Sequence, residues 1–565
     1  MLLLLVSVTV ALFAIFPLTD TDIWWHLACA REWVTTWTPV REPVVNVHEY
    51  FQQTVAFVYN LGGASLLVAF KAVLWGGVFA LFLWPSLKGV RRCGEKKSIS
   101  HVVADSVGEK QSVILFAFFV VIIFIFRYQF EIRPVLFSLL FLGVYWNALP
   151  WLFREDDRSR GAVLKTGLPG RDNEKNRCDD FRLEHHCEPR RGGTIYNESR
   201  FLSVMAILAL QWIWCKCQGL YILGPIFTLI VLASEWWNRR RMGVSKNRKT
   251  LAFQVCFVTL LFLMPFFHRD GLNLFLYPFG LLDRLLGLSP SAAVFASEIA
   301  ENRSPFTLLT VGENVLQSAL MIVFCVIGIA WAFRKVILER SLGAIGSRAC
   351  SVNGYSALWL LATAILALIA ERNFVLFLPV FFAVGVKCWS RSCPCKHDRN
   401  ARPTHLSYSL FSTSYILLPT LLIAFVLGLW VKSFLAYDSM VAYQRVPVAA
   451  TEWMKTHPHQ GKLFNDDRAG GYLAFMNPSD SIFIDGRFIL KTADFFERYL
   501  RYSQKPQMFL FDADSLHIDR VVLPLRYYAR WDKLLSSLDS AENWHIAYRD
   551  LFFVVMDCTK RQKYD

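Results

Sequence analysis

Runs of nearly unbroken apolar sequence recur from the start of this chain to about residue 435. Most come near the roughly 20 residues that an α-helix needs to cross the hydrocarbon core of a bilayer. No backbone N–H or C=O can stay unpaired in that medium, so an isolated run of this kind must be helical. Only 19% of the 565 residues are charged, against about 25% in ordinary soluble domains. The expected fold is therefore a mainly α membrane protein with about eleven transmembrane helices. They fall near 2–18, 54–85, 112–127, 134–153, 201–216, 219–237, 250–267, 315–333, 354–370, 373–389 and 408–434. The first run lacks a basic leader and a convincing small-residue cleavage site, which favours an uncleaved helix over a signal peptide.

The net charge of +15 does not point to nucleic acid, because the basic residues sit in short stretches between apolar runs. KGVRRCGEKK (88–97), RRRMGVSKNRK (239–249), RKVILER (334–340) and the stretch from Lys387 to Arg402 all fall on one side of the membrane by helix count. Basic loops mark the cytoplasmic side. The N-terminus is then cytoplasmic and everything after about residue 435 extracytoplasmic. The long polar loop 154–200 falls on the cytoplasmic side, with mixed charge that suggests partial disorder. The 13 cysteines form no disulfide framework, since most lie in apolar runs or in these basic loops. Cys178, His185, His186 and Cys187 have metal-capable side chains but not the spacing of a structural zinc site, and CKC (215–217) and CPC (393–395) are too tight.

Two domains are expected: a polytopic membrane domain, 1–435, with outer loops at 19–53 and 268–314, and a soluble extracytoplasmic α/β domain, 436–565. In the tail, GKLFND, SIFIDGR, HIDRVVLPL and LFFVVMD look like strands, VAATEWMKTH looks helical, and RAGGYLAF opens a short helix at a Gly-Gly turn. Ionisable residues converge on the outer face: Asp20, Asp22, His26, His48 and Glu49 in the first loop, Arg127, Glu131 and Arg133 in a short turn, Glu298 and Glu301 in the second loop, and Glu371-Arg372-Asn373 between two helices. Charges at helix ends are costly unless they reach water or line a wet cavity.

The stretch DTDIWWHL (20–27) sharpens this, since two acids stand where a membrane helix should simply end. A carboxylate there is suited to general-base work or to holding a divalent metal ion, and Asp20 and Asp22 are the candidates for both roles. Trp24 and Trp25 are equally at home in a headgroup belt or stacked on a sugar, and His26 reads more readily as support than as a ligand. Arg127, Arg133 and Arg372 have the planar fork that grips phosphate oxygens; the bland alternative for Arg372 is a local pair with Glu371. No Walker loop, G-x-G-x-x-G, H-E-x-x-H or G-x-S-x-G occurs, and no internal repeat suggests transporter symmetry.

An acid-bearing first outer loop, many helices and an outer C-terminal α/β domain resemble the C-type (GT-C) membrane glycosyltransferases. That superfamily includes oligosaccharyltransferase catalytic subunits, protein O-mannosyltransferases and the lipid A aminoarabinose transferase. The order DTDIWWHL, HEYFQQ, RPVLFS (133–138), Trp214 to Gly224, Asn273 to Gly280, IAEN (299–302), RNFVLF (372–377) and FND…GGYL…FIDGR is similar to a group of bacterial multi-pass proteins of that superfamily. Gln218 departs from the pattern, standing where a His is expected. The resemblance implies transfer of a sugar from a polyprenyl-phosphate-linked donor to an extracytoplasmic acceptor, in a bacterial inner membrane. It implies Asp20 or Asp22 as the catalytic carboxylate, Arg127, Arg133 and Arg372 toward the donor phosphate, and membrane lipids rather than nucleic acid as partners. His26, Glu49, Glu301, Asp466, Asp485 and Arg487 are the candidates for acceptor contact or support. Asp466, Gly471, Asp485 and Arg487 are expected to gather on the membrane-facing edge of the tail, above Asp20 and Asp22. The competing readings are a membrane scaffold or binding protein, in which the first-loop acids are dispensable, and a transporter.

The orientation is directly testable. Single cysteines replacing Asp22, Gly271 or Asp485 should react with an impermeant thiol reagent from outside, and one replacing Lys97 only after permeabilisation; an inward tail would invert the whole assignment.

Overall fold

The computed structural model describes residues 2–42, 44–91, 101–153, 193–241, 248–286, 293–341, 354–392, 414–526 and 529–559. Much of the basic linkers, CPC, and the loop holding Cys178, His185, His186 and Cys187 lie outside the described residues.

Each apolar run forms a helix. They are Leu2–Phe13, Glu49–Arg91, His101–Ile125, Pro134–Leu152, Gly193–Cys215, Leu223–Arg241, Arg248–Leu263, Val315–Ser341, Gly354–Ile369, Phe374–Ser392 and Ser414–Leu435. Among the described residues, 6 helices are long and apolar enough to cross a membrane; shorter apolar helices such as Leu3–Phe13 and Gly354–Ile369 accompany them. Of about eleven expected crossings, these 6 meet the criteria of length and composition among the described residues. Helix Ser414–Leu435 turns Leu417, Leu418, Leu421 and Phe425 outward, as a lipid-facing helix does. Helix Glu49–Arg91 breaks at Gly62 and Gly63, where Gly63 has φ +62°, a conformation open to glycine at no steric cost. Both sides of the break pack among the buried helices: Phe51 and Val55 before it are fully buried, with Phe51 5.3 Å from Phe137, and Leu67, Trp75 and Phe79 are buried beyond it.

Within 268–314, expected as a loop, Gly271–Leu286 forms a helix. Leu272, Leu276, Phe279 and Leu282 form an exposed stripe at helical spacing, while Leu274 is buried and Tyr277 packs against Gly219. An unpartnered apolar stripe beside a membrane fits a helix lying along the surface.

The tail folds around a four-stranded sheet ordered β1-β2-β4-β3, with β1 Lys462–Asn465, β2 Ile518–Pro524, β3 Trp544–Arg549 and β4 Phe553–Cys558. The β1–β2 pair is parallel and the other two are antiparallel. SIFIDGR, expected as a strand, is not one of these. It runs beside the first outer loop instead, with an isolated bridge between Thr36 and Ile482, and the Phe483 N–H donates to the Asn465 side chain at 2.8 Å. Its backbone partners are the loop and a side chain rather than a sheet neighbour. β3 went unrecognised because it is an edge strand exposed on both faces, without the alternation that betrays half-buried strands.

The tail and the first loop interlock. Tail helix Asp467–Met476 lies on helix Asp22–Arg31, where Trp24 meets Tyr472 and Phe475 at 4.8 and 5.6 Å, and Arg31 donates to the Phe475 carbonyl at 3.2 Å. Trp37 donates to the Leu463 carbonyl at 2.9 Å. Leu463, Tyr472, Phe475 and Val555 share a core with the membrane helices, while Phe464, Tyr499, Phe509 and Trp531 build a second core inside the tail.

Gly471 sets the closeness of this contact, since a Cβ there would lie 2.9 Å from the Trp25 amide nitrogen. Gly471→Val should cost about 1–3 kcal/mol, the usual penalty of overpacking, seen as a lower melting temperature in detergent. Gly428→Val, where a Cβ meets nothing within 4 Å, should leave melting nearly unchanged.

Candidate functional site

The chain leaves its first helix at Phe13 and is pinned at Leu18 by a bridge to Val441. Asp20 follows, and Asp22 opens the next helix, where an acid is favoured by the helix dipole. The Asp22 N–H donates to Asp20 Oδ1 at 3.2 Å. Arg133 precedes helix Pro134–Leu152 in extended conformation, with Pro134 in the first helical position, which suits its fixed φ. Its Nε donates to Asp20 Oδ2 at 2.6 Å, and its two terminal nitrogens donate to the two Glu301 oxygens at 2.6 and 2.6 Å. Glu301 is held in the turn Ala300–Asn302, which the Asn302 side chain fastens to the Phe295 carbonyl at 2.9 Å. Three distant segments thus meet at one guanidinium.

Around this core, the Asp22 carboxylate rests against Gly486, where a Cβ would stand 1.9 Å from Oδ1. The Arg372 guanidinium lies within electrostatic reach of Glu301, Asp22 and Arg133 and makes no hydrogen bond or ion pair of its own among the described residues. Its expected local partner, Glu371, instead accepts from the Tyr128 hydroxyl at 2.8 Å. Arg468 of the tail helix adds positive potential at Glu301. Glu131 accepts from Thr19 and faces Lys71, 3.9 Å away.

These surroundings move the acids in opposite directions. Burial, then the nearby Asp20 carboxylate, push the Asp22 carboxyl up to about 8 against the pull of Arg133. Burial acts the same way on Glu301, but Arg133 outweighs it and holds Glu301 at about 2. A carboxyl raised toward neutrality therefore sits beside one that its guanidinium partner keeps ionised near neutral pH.

Asp20, Asp22, Arg133, Glu301 and Arg372 are brought together. Arg127 is not: its guanidinium donates to the Phe124 carbonyl at 2.8 Å and lies 4.0 Å over the Phe124 ring. His26 is buried against Trp25, Phe51 and His48, and burial keeps it neutral, well below the usual imidazole range. Trp24 is enclosed by tail aromatics, so neither a headgroup belt nor sugar stacking describes it. Asp466 points into the tail, where it caps helix Asp467–Met476 and accepts from the Trp531 indole at 2.7 Å. It therefore does not join Gly471, Asp485 and Arg487 at the first loop. Asp485 and Arg487 form a buried pair at 2.6 Å, and Arg487 also donates to the Val34 carbonyl at 2.8 Å. Glu49 pairs with Lys216 at 3.1 Å. Glu49, Asp485 and Arg487 line a separate cleft of about 900 Å³ together with Trp33, Tyr50 and Trp212. Gln218 caps the turn Gly219–Ile222 through its side chain.

Sequence reasoning missed Lys71, Tyr128, Arg468 and Gly486. Lys71, a lone cation in an apolar run, was the available signal, because such residues need a partner. The others become relevant only through tertiary contacts.

The donor set does not fit a divalent ion as arranged. Both Glu301 oxygens and Asp20 Oδ2 face Arg133, and Asp20 Oδ1 accepts the Asp22 amide. No group of three or more His, Cys, Asp or Glu side chains suited to a metal occurs among the described residues.

No family model and no curated protein matches the chain. Among solved structures it is similar to the archaeal oligosaccharyltransferase AglB from Archaeoglobus fulgidus in complex with an inhibitory peptide and a dolichol-phosphate, at 13% identity and TM-score 0.46, covering 92% of this chain and 69% of that one. An Archaeoglobus fulgidus oligosaccharyltransferase in complex with Zn and sulfate gives 14% identity and TM-score 0.44, covering 93% and 68%. ArnT from Cupriavidus metallidurans in the apo state gives 12% identity and TM-score 0.33, covering 98% and 97%.

Proposed function

We propose that this protein is a membrane glycosyltransferase that moves a sugar from a polyprenyl-phosphate-linked donor to an acceptor on the outer face of a bacterial inner membrane. The observation that carries the reading is the cluster at a membrane exit in which Arg133 joins Asp20 and Glu301 by contacts of 2.6 Å, with Asp22 bonded through its amide to Asp20 and Arg372 within electrostatic reach. The ordered sequence motifs support the same class.

In this reading the ionised Asp22 takes the proton of an acceptor hydroxyl or amide as the acceptor atom bonds to the anomeric carbon. The bond from that carbon to the donor phosphate breaks, and its electron pair stays on the phosphate oxygen. Arg372 meets the charge that grows there, its fork matching two phosphate oxygens. Arg133 is already engaged by Asp20 and Glu301 and holds those acids in place. No step is routed through a metal ion. The apolar stripe of helix Gly271–Leu286 offers the prenyl chain and membrane lipids a flank beside Tyr277. The N-terminus is cytoplasmic and the tail extracytoplasmic in this arrangement.

Cells lacking the protein should accumulate the lipid-linked sugar donor and lose one cell-surface glycan. A stably inserted Asp20→Asn, Asp22→Asn double variant should not restore that glycan; restoration would end the proposed role of the acids. With the accumulated donor in hand, the pH profile gives a second check. Asp22 works as a base only when ionised, so the transfer rate should rise up to tenfold per pH unit below about 8 and then level off. A profile flat from pH 6 to 9 would remove Asp22 as the base.

A further inference from the structure

We infer that Arg133 is the resident cation of the outer acidic cluster, occupying the place in which a divalent ion would otherwise have to hold Asp20 and Glu301 together. The inference concerns the site of the proposed transfer, but it is read by binding and melting, so either can fail alone.

The geometry is that of a filled site. Asp20 belongs to the first outer loop and Glu301 to the second, and two such acids repel unless a positive charge stands between them. Arg133 supplies that charge with three contacts of 2.6 Å, one to Asp20 and two to Glu301. The remaining Asp20 oxygen accepts the Asp22 amide. All four oxygens of Asp20 and Glu301 already accept a hydrogen bond, three of them from the guanidinium, so a divalent ion could bridge the two acids only by displacing Arg133. The Asp20 side chain is 5% exposed, so it is not free to swing out and offer its oxygens elsewhere. The same solution recurs beside it: Glu131 is answered by Lys71, whose ammonium also donates to the Phe16 carbonyl at 3.1 Å. Asp20, Glu301 and Glu131 are thus each answered by a cation built into the chain.

A guanidinium stays charged at all working pH values and cannot be chelated away. Arg133 is thus a positioning residue. It fixes Asp20, Asp20 fixes the start of helix Asp22–Arg31, and Asp22 is presented from there.

The test uses the full-length protein in detergent, Mn²⁺ titration followed by electron paramagnetic resonance, and thermal melting. The wild type should show no saturable Mn²⁺ site tighter than about 1 mM, the weak end of protein calcium sites, and EDTA should not shift its melting. Arg133→Gln should melt lower, bind one Mn²⁺ at the unmasked acids, and recover stability on binding. Adding Asp20→Asn and Glu301→Gln to Arg133→Gln removes the repulsion, so this triple variant should melt higher than Arg133→Gln alone and bind no Mn²⁺. It also serves if the single variant fails to fold. A wild-type protein that binds one Mn²⁺ tightly, and loses it on Asp20→Asn, would overturn the inference. So would a folded Arg133→Gln that melts like the wild type and gains no site.

Discussion

A single guanidinium organises one end of the helix bundle. Arg133 stands at the start of an apolar helix, donates to Asp20 on one side and to both oxygens of Glu301 on the other, and so ties two loops to the bundle. Removing Arg133 would leave the buried Asp20 carboxylate without its charge partner, which is destabilising, whereas Glu301, whose side chain is 46% exposed, keeps access to water. That is why the first loop, the turn before Pro134 and the turn at Glu301 behave as one unit. Asp22 and Arg372, on which the proposed chemistry rests, lie within electrostatic reach of each other beside that unit.

The tail completes the site rather than covering it from a distance. Its helix Asp467–Met476 touches helix Asp22–Arg31 through Gly471, and Gly486 abuts the Asp22 carboxylate. These two glycines permit contacts that a side chain would block. The Asp485–Arg487 pair then holds the loop, and its link to Val34 anchors that loop to the first outer segment. Behind the loop lies the cleft of about 900 Å³ lined by Trp33, Tyr50 and Trp212. The raised pKa of Asp22 thus comes first from burial, to which Gly486 of the tail contributes, and then from the Asp20 carboxylate.

Charge within the apolar layer follows the same rule. Lys71 lies on a run otherwise suited to a bilayer, and it is tolerated because Glu131, the Phe16 carbonyl and the Phe16 ring surround it. Arg127 obeys the rule locally, satisfied by its own preceding turn. Two arginines in one short turn, six residues apart in sequence, therefore have different fates. One is folded back on its helix and the other is drawn into the cluster.

Much of the architecture was legible in the sequence because the bilayer leaves a long apolar run no alternative to the helix, and all the runs named from sequence are helical. The acids of DTDIWWHL, with Arg133, Glu301 and Arg372, were also legible, since a charge beside an apolar run is conspicuous. The surface helix Gly271–Leu286 was not, because its apolar stripe is interrupted along the sequence and closes only when wound. β3 and the fate of SIFIDGR were hidden for a related reason. An edge strand lacks a buried face, and an extended segment can pair with a loop as well as with a sheet. By itself the sequence determined the helices and the charges at their ends, through the intolerance of hydrocarbon for unpaired polar groups. Only the tertiary structure decided which charges meet. Arg127 and Arg133 are alike in chemistry, Asp466 and Asp485 are both strand-end acids by pattern, and burial with particular partners is a property of packed segments that no local stretch contains.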